Sequence, residues 1–408
     1  MTYLGELKSN ARPLLAASLG LGTSMPLDAY INSIFAARLI KVFGWERSQF
    51  ALYGLVALAT ILVLPFVGRF ADKFGMRRVA ALGIFIMLLV FIGYSRMQGS
   101  FAVFMALSAC KLIAGHMTSA IVYTRLIAAN FDKARGLALT IVNCAPALLG
   151  AMAAPMLTAS IDAYGWRTSY VIVGIFMFAC GLIALLLVQP DPETGAEHKA
   201  ETEGATLSTR KAFGQVVRNR AFWIIVPAVW LIMIATPLQS SQLAIMLEDN
   251  GLKPASIAWV ISVFSISTIV GRIVCGLALD KFPTPLVASI CTIPPALGFY
   301  LLATDWNATA VIAFGMALAG FAVGAENDLF SYLVARYFKL DVYSSTLSIV
   351  FACVFIGTAT GSVAISVTLK IANSFSPFLY FVGGSTLLGS LLFLLLPKVR
   401  WNELAAGN

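Results

Sequence analysis

Charged residues are scarce in this chain: Asp, Glu, Lys and Arg make up 12% of its 408 residues, and there are two histidines. Soluble domains carry about 25% charged residues. Apolar residues instead reach 59%, and the mean hydropathy is +0.87. This balance excludes a soluble enzyme, a disordered scaffold and a nucleic-acid-binding protein, although the formal net charge is +9.

Motifs for metal binding and catalysis are missing as well. None of the 6 cysteines forms a CxxC pair, so neither a zinc site nor a disulfide framework is indicated. The chain has no Gly-x-Ser-x-Gly, no His-Glu-x-x-His and no P-loop. We therefore expect no enzyme, no resident metal and no cofactor.

Long apolar runs are what the chain does contain. Twelve of them have lengths suited to a membrane-spanning helix, which needs about 20 residues. They are too long for the ~10-residue strands of a membrane barrel. They lie near residues 13–38, 48–70, 79–96, 101–127, 136–160, 168–189, 221–247, 255–279, 285–303, 307–334, 342–368 and 376–397.

The distribution of Lys and Arg predicts the orientation in the membrane. With both termini inside, eighteen of these residues fall in cytoplasmic segments, seven fall outside, and three lie within spans. An excess of positive charge marks the cytoplasmic side. We therefore expect a multi-pass protein of a bacterial inner membrane with both termini in the cytoplasm.

An internal repeat divides the chain into halves. The loop after the second span aligns with the loop after the eighth when shifted by 208 residues, so that Gly68 meets Gly276 and Asp72 meets Asp280. Parallel halves of this kind are typical of transporters with a binding site at the midplane. The predicted domains are 1–189, a cytoplasmic linker at 190–220 with an interfacial helix or a plain solvated segment, and 221–408.

The loop residues Gly68, Asp72, Gly75, Arg77 and Arg78 resemble the loop signature of the major facilitator superfamily. The resemblance extends over essentially the whole chain. It implies an all-α polytopic fold with twelve transmembrane helices in two pseudo-symmetric six-helix halves. It also implies that these residues, together with Asp280, form a cytoplasmic gate.

Two further segments resemble the monocarboxylate porters and the related oxalate–formate antiporters. One runs from Tyr123 and Arg125 toward the fifth span, and the other places Arg272 four residues before Gly276. The resemblance implies that Arg272 binds substrate. The sequence departs from that branch at Thr268, where animal-type porters have Asp, so their proton-coupling details do not transfer.

Ionisable residues within apolar spans indicate function, because a charge at the bilayer centre costs about 3 kcal/mol. Helical spacing and depth predict that Asp28 pairs with Lys111 and that Arg272 can pair with Glu326. Glu326 and Asp328 point to nearly opposite faces of one helix, so we expect only one of them to face a cavity. The predicted substrate-binding residues are Arg272, Tyr123, Arg125, Lys111 and Gln239. The predicted proton-coupling residues are Asp28, Glu326, Asp328 and His116.

The sequence therefore predicts a monomeric secondary transporter for a small organic anion, either a monocarboxylate or an aromatic carboxylate. Its expected partners are that anion, protons and membrane lipids, and no nucleic acid. Proton symport by alternating access is the main hypothesis, because a protonated acid would leave positive charge for the anion. Anion/anion antiport of the oxalate–formate type, drug/proton export and a non-transporting sensor remain alternatives.

Overall fold

The computed structural model describes residues 3–74, 76–118, 123, 126–127, 130–131, 134–187, 216–279, 281–304, 308–338 and 340–397. Within these ranges the chain is helical and contains no β-strand. The predicted linker helix near 208–217 lies almost wholly outside the described residues.

In the described residues before the linker there are eight α-helices and a 3₁₀ segment at Leu52–Leu58. They are α1 (Tyr3–Ser9), α2 (Ala11–Gly22), α3 (Met25–Phe43), α4 (Arg47–Ala51), α5 (Ala59–Phe74), α6 (Met76–Arg96), α7 (Phe101–Met117) and α8 (Arg135–Leu187).

Eight more α-helices lie in the described residues after it, with a π-helical turn at Leu238–Gln242 and a 3₁₀ segment at Phe393–Leu395. They are α9 (Phe222–Met233), α10 (Leu243–Asp249), α11 (Pro254–Leu279), α12 (Thr284–Thr292), α13 (Pro294–Leu302), α14 (Thr309–Tyr337), α15 (Leu340–Ala372) and α16 (Ser376–Leu392).

Proline and glycine explain where several predicted spans are broken. The first span is interrupted between α2 and α3, where Ser24 is extended and Pro26 sits in the first turn of α3, a position that tolerates its missing N–H. Pro237 immediately precedes the π turn. Because proline has no backbone N–H to donate, the regular helical hydrogen bonding is interrupted there. Gly165, with a φ of 80°, bends α8 and separates the predicted fifth and sixth spans.

The apolar helices suit a lipid environment. Eight described segments are long and apolar enough to cross a membrane, and two shorter apolar helices lie at Arg47–Val63 and Phe101–Met117. Many large apolar side chains point outward, among them Phe66, Ile371 and Leu395. Such surfaces are unfavourable in water but not in hydrocarbon. The all-α polytopic fold predicted from the sequence is confirmed.

The chain forms two compact units. The first comprises Met1–Gly195 and Leu238–Ile266, and the second comprises Ala196–Pro237 and Ser267–Asn408. In the first unit a core surrounds Leu21, Tyr123 and Phe131. In the second a larger core surrounds Phe222, Phe330 and Phe393. The division at the 190–220 linker stays a prediction.

Candidate functional site

A buried ion pair joins α3 and α7 in the first unit. The Lys111 Nζ atom lies 2.7 Å from Asp28 Oδ2, and the two side chains are only 6% and 15% exposed. The pairing expected from helical depth is confirmed. Because Pro26 starts α3 within the predicted first span, Asp28 lies in the first turn of a helix, where a carboxylate is favoured by the helix dipole.

Aromatic rings enclose the ammonium group of this pair. The Lys111 Nζ atom lies 5.6 Å from the Tyr53 ring centroid and 5.5 Å from that of Tyr94, within the range of a cation–π interaction. The Ser108 hydroxyl donates to the Phe104 carbonyl at 2.7 Å, and the Tyr94 hydroxyl lies 2.8 Å from Ser108 Oγ. Tyr94 is therefore held in place while its ring faces the cation.

A second ion pair lies in the other unit. Arg272 on α11 places its Nε atom 3.1 Å from Asp328 Oδ2 on α14, and the same Nε lies 3.4 Å from the Gly324 carbonyl. The Arg272 side chain is 14% exposed, whereas that of Asp328 is 47% exposed. The expected pairing of Arg272 with Glu326 is therefore wrong, and Asp328 is the partner.

Two glycines permit the close helix crossing that makes this pair. A Cβ atom on Gly271 would lie 1.7 Å from the Phe321 carbonyl oxygen, and one on Gly324 would lie 1.9 Å from the Thr268 carbonyl oxygen. The backbones of α11 and α14 thus touch directly beside Arg272. This crossing presents the Asp328 face of α14 to α11. Glu326 projects from α14 at a different angle, so it cannot form the same ion pair with Arg272.

Glu326 occupies a buried position in the same unit. It is 9% exposed, and it has no hydrogen bond or ion pair to any side chain that the structure describes. A buried carboxylate without a partner is costly, so such a group is stable as the neutral acid. This separates the two acids of α14: Asp328 is paired and half exposed, whereas Glu326 is buried and pairs with no side chain among the described residues.

The remaining candidate residues of the first unit have different surroundings. Tyr123 is buried against Gly20 and lines a small open pocket together with Thr23, Ser24 and Thr118. His116 Nε2 lies 3.1 Å from Thr60 Oγ1. Gln239 belongs to the π turn and is 9% exposed.

Several predicted residues cannot be placed in a site. Arg125, Gly75 and Asp280 lie outside the described residues. Gly68 and Asp72 belong to α5, but the structure does not describe the Asp72 side chain, whereas Arg77 and Arg78 are exposed at the start of α6.

Tyr53 and Tyr94 were not identified from the sequence. An aromatic residue in an apolar span indicates a core or lipid-facing position. No sequence spacing links a residue of the second span to Lys111 in the fourth. Only the packing of the 3₁₀ segment and α6 against α7 brings both rings to the ammonium group.

Comparison with known proteins gives concordant matches. The family model described as Major Facilitator Superfamily matches residues 14–240 and 227–406. An uncharacterised MFS-type transporter, YcxA of Bacillus subtilis (strain 168), is 24% identical over 311 residues, covering 72% of this chain and 74% of YcxA.

Two solved transporter structures are similar to the chain in fold. A D-xylose-proton symporter superposes with a TM-score of 0.71 at 15% identity, covering 97% of this chain and 99% of the symporter. A variant of the nucleoside transporter NupG superposes with a TM-score of 0.75 at 14% identity, covering 94% and 98% of the two chains.

Proposed function

Because this chain belongs to the Major Facilitator Superfamily and is a membrane transporter rather than an enzyme, we propose that it carries a small organic anion together with a proton. The proposed substrate is a monocarboxylate or an aromatic carboxylate. The proposed setting is a bacterial inner membrane with both termini in the cytoplasm. The transport cycle is alternating access by a monomer, with the residues around Asp72 acting as the cytoplasmic gate.

The observation that carries the proposal is the Arg272–Asp328 pair. A guanidinium group can donate two parallel hydrogen bonds to a carboxylate. Asp328, at 47% exposed, can return to water when a substrate carboxylate takes its place. The arginine would then exchange one carboxylate for another while its charge stays compensated throughout.

Glu326 supports coupling to protons. Its buried side chain has no charge partner among the described residues, so the carboxyl group is expected to hold a proton there. If water reaches it at another stage of the cycle, the proton can leave. Glu326 thus provides a proton carrier separate from the residue that binds the anion.

Uptake into proteoliposomes tests the proposal. A pH gradient, acid outside, should drive labelled lactate or mandelate inward above the leak of protein-free liposomes. Glu326→Gln should reduce the rate of this gradient-driven uptake by at least about tenfold. Exchange of internal for external anion should persist in the same variant. A wild-type uptake rate that is the same with and without the pH gradient would rule out symport.

Anion/anion antiport is the second candidate, and the ion-pair geometry favours it specifically. Both described intramembrane cations already have acidic partners, so one anion can replace another with no proton involved. In that case uptake depends on a loaded internal anion, and Glu326→Gln transports normally.

The gate can be examined separately. Asp72→Asn is expected to shift the resting population toward the inward-open state, because the cytoplasmic gate would lose a charged hydrogen-bond acceptor. Labelling of cysteines introduced on the two sides measures this, and an unchanged labelling pattern would count against the gate.

A further inference from the structure

The π turn in the first unit holds a side chain that is buried without partners. Gln242 has a relative exposure of 0%, and neither its Oε1 nor its Nε2 atom forms a hydrogen bond in the described part of the chain. A carboxamide can accept two and donate two hydrogen bonds. Leaving all of them unmade while excluding water is unfavourable.

This feature differs from the other buried polar atoms that lack partners. Those are the single hydroxyl groups of Ser289 and Thr386 in the second unit. A hydroxyl has one donor, whereas a carboxamide is a larger polar group with two donors and a carbonyl oxygen that accepts two hydrogen bonds. π turns also occur preferentially at functional sites.

The position of Gln242 in the helix packing is specific. The π turn and α10 both pack against α3, the helix that carries Asp28 and Asn32. Gln242 precedes Glu248 by six residues, or about 9 Å along a helix. Glu248 Oε2 lies 2.5 Å from Lys41 Nζ, and Asp249 pairs with Arg47. The carboxamide therefore lies less than two helical turns along the chain from Glu248 and Asp249.

We propose that Gln242 binds a hydroxyl group of the transported anion, so that the preferred substrates are hydroxy carboxylates. A hydroxyl both donates and accepts, and it can therefore satisfy Oε1 and Nε2 of one carboxamide together. A carboxylate fits less well, because it can accept from Nε2 but has no hydrogen to donate to Oε1. The inference rests on the proposed anion transport.

Two matched pairs of labelled acids test the inference in proteoliposomes. Lactate is compared with propionate, and mandelate with phenylacetate, so that each pair differs by one hydroxyl. The wild-type protein should prefer the hydroxy acid by about tenfold or more in kcat/KM, as expected where a site is built to bind a hydroxyl. Gln242→Leu should reduce the preference to less than about threefold while the protein remains as thermally stable as the wild type.

Thr386→Val is the matched control, because it also removes a buried polar atom that lacks a partner, and it should leave the preference unchanged. If the wild type transports the acids without preferring the hydroxyl, or Gln242→Leu keeps the preference, the inference is overturned and the proposed function stands. A marked loss of thermal stability in Gln242→Leu would likewise overturn it, because it would show that the carboxamide is paired within the fold. If the wild type transports none of the four acids, both proposals are overturned.

Discussion

The two intramembrane ion pairs are alike in chemistry and opposite in surroundings. Lys111 and Asp28 are 6% and 15% exposed, and two tyrosine rings cover the ammonium group. Arg272 and Asp328 are 14% and 47% exposed, so other protein atoms cover only about half of the acid of this pair. A fully buried pair is costly to break, whereas an acid that can return to water is released easily.

The difference assigns the two pairs different parts in the proposed cycle. The Lys111–Asp28 pair compensates charge within the first unit and is expected to remain intact. The Arg272–Asp328 pair is suited to exchange of its acidic partner. Composition and spacing do not report exposure, so the sequence alone does not distinguish the surroundings of Lys111 from those of Arg272.

Removing one member of the buried pair should have the largest effect. Lys111→Met leaves Asp28 as an uncompensated buried charge and is expected to cost about 3–5 kcal/mol of unfolding free energy. The double variant Lys111→Met with Asp28→Asn should recover most of this loss. Denaturant unfolding of the detergent-solubilised protein measures both.

Lys370→Met on the exposed end of α15 is the control for lost charge and should change stability by less than about 0.5 kcal/mol. If Lys111→Met is as stable as this control, the contrast between the two pairs is wrong.

The arginine of the second unit should matter for binding rather than for folding. Arg272→Lys keeps the charge but loses the planar fork, and losing one charge-assisted hydrogen bond costs about 1.5–3 kcal/mol. Binding of lactate or mandelate should therefore weaken by roughly ten- to a hundredfold. Isothermal titration measures this, with the exposed Arg96→Lys as the control.

A purely structural Arg272 would give another result. Arg272→Lys would then bind anion with nearly wild-type affinity. The double variant Arg272→Gln with Asp328→Asn would recover transport that each single change had removed.

Disrupting the glycine contact between α11 and α14 should have the next largest effect. Gly271→Ala places a methyl group against the Phe321 carbonyl, so the helices must separate, at a cost of about 1–3 kcal/mol. Anion affinity should fall with stability, since Arg272 is displaced from its position. Gly276→Ala on the same helix meets no atom within 4 Å and should change neither quantity; equal effects of the two substitutions would contradict this account of the crossing.

The smallest effect is expected from Asp328→Asn. Because the acid is half exposed, its pairing should contribute no more than about 1 kcal/mol to stability. Arg272 would lose a competing carboxylate, so anion affinity should rise by up to about fivefold. Weaker binding by this variant would show that Asp328 helps to bind the substrate.

Much of the fold was predictable from the sequence. Each of the twelve predicted runs coincides at least in part with described helix. The breaks within them at Pro26 and Pro237 were not predicted, because apolar composition continues through both prolines. The Asp28–Lys111 pair was predictable, since the two residues lie at similar depth in their spans and no other charged residue is close to either one along the sequence.

The partner of Arg272 was not predictable in the same way. Glu326 and Asp328 are two residues apart at similar depth, and both carry the charge that Arg272 requires. Their difference is angular, and it depends on which face of α14 meets α11. The contact of Gly271 with the backbone of Phe321 decides this face.

By itself the sequence determined that this protein is an all-α membrane protein, because its apolar runs have the length of spanning helices and make every buried charge conspicuous. Its internal repeat and loop signature indicated a transporter. The tertiary structure alone decided how each charge is used. Exposure, aromatic cover and the choice between Glu326 and Asp328 arise from contacts between helices distant in sequence, and no local pattern of residues encodes those distances.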